Sequence, residues 1–90
     1  MKFLVTGTFV PEADHETHMD AERRRVRELK EQGVLEQAFR RADRTGAYLI
    51  VDAPSITDVE KAIATLPFVE TGIMEADIEE IESLDFIWAS

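Results

Sequence analysis

The run Ala47-Tyr48-Leu49-Ile50-Val51-Asp52-Ala53 is almost wholly apolar, and Pro54 stops it. A stretch this short, rich in aliphatic and aromatic residues, reads as a strand rather than a helix, and its greasiness places it in the middle of a sheet. That sheet has to be covered, and a chain of 90 residues has little material to do it with. No cysteine is present, so disulfides, thiolate nucleophiles and Cys-based zinc sites are all removed together. A 44% hydrophobic content is enough to fold, with subunit contacts left to add stability to a small core.

The flanking segments supply the rest of the pattern. Residues 2–10 (KFLVTGTFV) form an expected first strand that stops at Pro11, with Gly7 marking a bulge or a close approach to the backbone. Helix formers run from about Ala13 to Gln32 and end at Gly33. Val34–Arg41 reads as the second strand, Ala42–Gly46 as a turn, and Ala47–Ala53 as the third strand. Ser55 caps a second helix with Asp58 at its third position, and Val59, Ile63 and Leu66 point inward. Pro67 is expected to close that helix, and Phe68–Ile78 to form the last strand.

The resulting order is β-α-β-β-α-β, an α+β fold of the ferredoxin-like kind. Residues 1–78 make the domain, and 79–90 form an acidic and apolar tail expected to dock on a neighbouring subunit or lid a pocket. Two helices on one face of a four-stranded sheet leave the other face bare, so a homodimer or larger symmetric assembly is expected.

Charge narrows the partners. Nineteen acidic against ten basic residues give −9, a balance that repels phosphate backbones and anionic lipid surfaces. No nucleic acid and no membrane is therefore expected. The opening apolar run is too short and too polar for a signal peptide, so a cytoplasmic protein is expected. Glycine-rich phosphate loops, nucleophile elbows and dinucleotide fingerprints are missing.

Glu22 is the position that carries chemistry. Met19, Val26 and Leu29 share one helical stripe, and Glu22 falls on it, three residues after Met19 and four before Val26. A carboxyl among apolar neighbours has its pKa raised toward the range useful for moving protons. The plainer alternative is a carboxylate at the margin of the stripe, paired with an arginine. His15 and His18 precede it on consecutive turns, so His18 is a candidate to tune Glu22; a metal held by the three is a weaker reading. The arginines of this helix read as a solvated face with pairs such as Arg24–Glu28 and Arg27–Glu31. Candidate substrate-binding residues are Met19, Phe39, Thr45 and Tyr48, the last of which can equally fill the core.

Several of these residues together resemble a family. The arginine- and glutamate-rich helix ending at Gly33, the Gly46-Ala47-Tyr48 entry into a strand closing at Val51-Asp52-Ala53-Pro54-Ser55, and then Leu66-Pro67-Phe68 and Ile73-Met74-Glu75 resemble muconolactone isomerase from Met1 to about Ile78. The resemblance implies a ferredoxin-like subunit in a dimeric α+β barrel and a cofactor-free proton shift in a small unsaturated lactone derived from aromatic compounds. It also implies that the acid/base glutamate falls on Glu22. The chain departs from the isomerases at Thr45 and Ala47, at Leu35 and Gln37, and at Glu70-Thr71, where they carry polar or aromatic side chains. A lactone carboxylate loses partners there, so a more apolar pocket and an altered substrate are expected.

The function expected is thus an isomerase or lyase acting on a small cyclic or aromatic-derived carbonyl compound. In it Glu22 moves the proton, and Thr45 or Tyr48 steadies the oxyanion. Two rivals are a non-catalytic ligand-binding or assembly module and, less favoured with a single tryptophan, a cofactor-free oxygenase.

Overall fold

Hydrogen bonding in the computed structural model, which describes residues 1–89, sorts the chain into four strands and three helices. The strands are β1 (Lys2–Phe9), β2 (Leu35–Arg40), β3 (Gly46–Asp52) and β4 (Met74–Ile81). The helices are α1 (Met19–Glu31), α2 (Ile56–Ala64) and the single turn α3 (Pro67–Glu70). The sheet is antiparallel in the order β2-β3-β1-β4, the ferredoxin-like arrangement.

Side-chain alternation divides the sheet into two unlike faces. Phe3, Val5 and Val51 point toward the helices and are buried to within 2% of full cover, against Leu29 of α1 and Val59 and Ile63 of α2. The opposite face presents Leu4, Ile50, Tyr48 and Phe39, the last two exposed. The core cluster joins α1 and α2 to the first face, and among the described residues no helix is long and apolar enough to cross a membrane.

Local chemistry explains the element ends. The Ser55 hydroxyl accepts from the Asp58 N–H at 3.2 Å and donates to the Asp58 carboxylate at 2.8 Å, so α2 starts where its cap stands. α1 starts later than the composition suggests. Asp14 accepts from the Glu16 N–H and the Thr17 hydroxyl, which folds 16–18 into a short 3₁₀ turn before the α-helix begins at Met19. The last strand is the larger difference. Pro67 does not merely close α2; it opens α3, and Gly72 at φ +75° ends that turn. Phe68 therefore lies in a helical turn, and β4 begins only at Met74 and runs on to Ile81, past residue 78 where the last strand was expected to end. Beyond it, Leu84, Phe86, Ile87 and Trp88 are exposed.

Two glycines let strands approach closely. Gly46 stands opposite Thr8 in the register, and a Cβ there would land on the carbonyl oxygen of Gly7, which is backbone and cannot swing away. Gly46→Ala should lower unfolding free energy by about 3 kcal/mol or more in urea titrations. Gly7→Ala should cost less, because the Cβ it adds meets only the movable side chain of Met74.

Candidate functional site

Small side chains create the site. Register places Ala47, Gly7 and Ala76 side by side across β3, β1 and β4 on the helix-facing side, with Arg40 ending the row on β2. No large side chain rises from these three small residues, so α1 spans a gap rather than a packed layer. The gap is a cavity of about 490 Å³, within the range of small-molecule sites. Met19 and Val26 of α1 form its roof, Phe68 and Val69 of α3 one wall, and Phe9 with His15 another.

Glu22 is the one buried charged residue among those described, 9% exposed, and it lines this cavity. Its Oε1 accepts the Phe68 N–H at 2.9 Å. That N–H is a free donor because Phe68 lies in the first turn of α3. No second hydrogen bond to the carboxyl is seen. Among the described residues no fully buried side-chain oxygen lacks a partner, so the other oxygen stays open to the cavity. Burial pushes the Glu22 pKa above the ordinary glutamate value, and the Phe68 N–H partly offsets the rise. The alternative of a marginal carboxylate paired with an arginine does not fit: no arginine bridges Glu22.

The other sequence candidates separate. Met19 lines the cavity, and Phe39 borders it from the edge strand although it pairs with Tyr48 across the far face. Tyr48 itself is on that far face, 38% exposed, with the Arg41 guanidinium 5.4 Å over its ring. It neither fills the core nor reaches Glu22, because strand alternation turns 47, 49 and 51 inward and 48 outward. Thr45 is also outside: its hydroxyl and N–H both donate to Asp43, closing the β2–β3 turn. His18 ends the 3₁₀ turn and neither lines the cavity nor bonds Glu22. The histidine at the cavity is His15, stacked on Phe9 with ring centres 4.5 Å apart and edge-on to Phe68. Among the described residues no three His, Cys, Asp or Glu side chains gather to hold a metal.

Sequence reasoning also missed three arginines. Arg23, Arg40 and Arg44 line the cavity. The expected pairs Arg24–Glu28 and Arg27–Glu31 are not formed; Arg25 instead meets Glu28 at 3.4 Å and the Thr65 hydroxyl at 2.8 Å. The cavity is apolar in depth and cationic at its border, where a more apolar pocket is expected from the sequence.

Fold and cavity together define a class, a ferredoxin-like α+β subunit with an acid-bearing hollow between its first helix and its sheet. The chain belongs to the muconolactone delta-isomerase family, whose model matches residues 1–84. Among solved structures it is similar to a 5-chloro-2-hydroxyhydroquinone dehydrochlorinase from Burkholderia phenoliruptrix, solved in complex with 2,5-dihydroxybenzoquinone. That match has 18% identity and a TM-score of 0.74, covering 96% of this chain and 98% of that one. It is likewise similar to a muconolactone isomerase, at 22% identity and a TM-score of 0.73, covering 92% of this chain and 90% of that one. Both likenesses establish the fold. No curated protein matches the chain.

Glu22 should leave a signature in stability. Its folded pKa is raised, so the native state holds the proton more tightly than the unfolded chain does. Relative to Glu22→Gln, the native protein is then most stable below the ordinary glutamate value and loses stability as pH rises through the folded pKa. Urea midpoints of the two proteins across that window check this. Glu22→Ala, which strands the Phe68 N–H, should cost about 1–3 kcal/mol below the ordinary glutamate value, where the carboxyl is neutral in both states.

Proposed function

We propose that the chain is a cofactor-free enzyme of isomerase or lyase type that moves a proton in a small cyclic or aromatic-derived carbonyl compound. The observation that carries this is Glu22: a buried carboxyl, one oxygen fixed by the Phe68 N–H and the other open to a cavity of substrate size. Family membership supports it, since the family is described by an isomerisation.

The chemistry follows from the geometry. The Glu22 carboxylate removes a proton from carbon next to the substrate carbonyl, and the C–H electron pair moves into an enolate. Return of that proton from Glu22 to another carbon of the conjugated system completes an isomerisation; expulsion of a leaving group by the same electrons completes an elimination. Burial makes the carboxylate a stronger base than one in water, which lowers the cost of the first step. With Thr45 and Tyr48 outside the cavity, His15 is the polar side chain on the wall available to the developing oxyanion.

Self-association belongs to the same reading. Leu4, Ile50, Tyr48 and Phe39 form an uncovered sheet face, and a second copy of that face is the simplest cover. The exposed tail residues Leu84, Phe86, Ile87 and Trp88 add apolar surface for the same assembly. Ile50→Asp should therefore reduce the mass measured by sedimentation while leaving the helix-facing core intact.

A panel of small lactones and hydroxylated ring compounds, screened by thermal stabilisation and then for turnover, supplies the substrate. With it, Glu22→Gln should lower kcat/KM by about 100-fold or more without lowering the melting temperature. The acid limb of kcat/KM should fall above the ordinary glutamate range. Turnover unchanged by Glu22→Gln sinks the mechanism.

A further inference from the structure

The connection from β1 to α1, residues 10–18, lies outside the sheet and outside the main core, yet its His15 forms part of the cavity wall. The chain reverses at Val10-Pro11-Glu12-Ala13, where the Ala13 N–H donates to the Val10 carbonyl at 3.2 Å and Glu12 takes a left-handed φ of +66°. Asp14 then accepts from the Glu16 N–H and the Thr17 hydroxyl, and the His18 N–H donates to the His15 carbonyl. These bonds all stay within the connection. Among the described residues no hydrogen bond ties 11–17 to the sheet, to α2 or to α3.

A ring ties it down instead. His15 stacks on Phe9 with centres 4.5 Å apart and planes 19° apart, and stands edge-on to Phe68 at 6.3 Å. Phe9 meets Phe68 edge to face at 5.4 Å, so rings from β1, the connection and α3 close into one cluster. These are favoured geometries for aromatic pairs, and His15 makes them with the face and edge of its ring rather than with its nitrogens. None of the three rings belongs to the main core.

Phe68 carries the consequence to Glu22. The single turn α3 is too short to hold its orientation by backbone bonding alone, and Phe68 is the side chain it buries. Where that ring packs therefore sets the direction of the Phe68 N–H, which reaches Glu22 Oε1 at 2.9 Å. His15 is half-buried while Phe68 and Glu22 are buried, so the imidazole stands between them and water. The other titratable groups lining the cavity are Arg23 of α1, Arg40 of β2 and Arg44 of the β2–β3 turn, all exposed. β1, β3, β4, α2 and α3 contribute only apolar side chains and glycine to the lining.

We infer that His15 is a positioning residue for Glu22: its ring latches the β1–α1 connection onto Phe9 and Phe68, holding the Phe68 N–H on the acid and keeping water from the cavity around it. This deepens the reading of Glu22 as the working acid, and it stands on packing that needs no substrate. Two opposed effects follow from opening the latch. Burial is the larger cause of the raised Glu22 pKa, and the Phe68 N–H is the smaller cause that lowers it. Wetting the carboxyl lowers the pKa, loosening the bond raises it, and the larger effect prevails.

Carboxyl carbon shifts of isotope-labelled glutamate, followed against pH in the full chain, read Glu22 directly, with Glu22→Gln assigning the signal. In His15→Ala the Glu22 titration should move back toward the ordinary glutamate value, and the Phe68 amide should exchange with solvent at least about tenfold faster. His15→Gln, which keeps polarity and loses the ring, should do the same. His15→Phe, which keeps the ring and loses the imidazole, should match the parent in both, and so should His18→Ala. Amides of Phe3 and Val51 should exchange at the parent rate throughout, since the cluster lies outside the core. Unchanged Glu22 titration and Phe68 exchange in His15→Ala, a His15→Phe that behaves like His15→Ala, or faster exchange spread evenly over the core amides would each overturn the inference. A Glu22 that shifts as described but turns over no substrate would leave the latch standing and remove the proton chemistry alone.

Discussion

One hydrogen bond organises the functional half of the molecule: the N–H of Phe68 onto Glu22. It joins the first helix to the short turn before the last strand, two segments separated by 46 residues, and does so in a place from which water is largely excluded. The donor exists because Pro67 opens a helical turn whose first N–H groups have no partners within it. The acceptor exists because a glutamate stands on the apolar stripe of α1. Each group would be costly to bury alone, and each satisfies the other. The result fixes both the rotamer of the acid and the position of the Phe68 ring beside Phe9 and His15.

Around that bond the sheet contributes mainly by what it lacks. Phe3, Val5 and Val51 fill the layer under α2 and the end of α1, while Ala47, Gly7 and Ala76 leave the adjoining layer empty. Packing and cavity are therefore two ends of one continuous surface, with the core stiffening the strands that floor the site. The burial that stabilises the domain and the burial that raises the Glu22 pKa have the same origin.

Much of this was legible in the residues. Strand and helix order followed from apolar runs punctuated by Pro11, Gly33, Pro54 and Pro67, and the burial of Glu22 followed from its place among Met19, Val26 and Leu29. What failed did so for identifiable reasons. Phe68–Ile78 looked like one strand because its composition is β-prone, yet proline at the first helical position and Gly72 past the last define a turn before the strand. Tyr48 reads equally as a core or a substrate-binding residue, and only the strand register shows that it faces away from both. Arg40 and Arg44 carry no pattern that marks them in the sequence; strand alternation and an uncommon turn conformation bring them to the cavity. His15 and His18 were indistinguishable by spacing; an aromatic stack with Phe9 decides between them.

The row of small residues has an evolutionary corollary. Because the hollow is shaped by absent methyl groups rather than by long loops, its volume can be trimmed a methyl pair at a time: alanine to valine at 47 or 76 refits the chamber with no change of chain length or strand pairing. A scaffold of this kind acquires new ring-shaped substrates by repainting its floor, leaving its acid and its hydrogen bonding undisturbed.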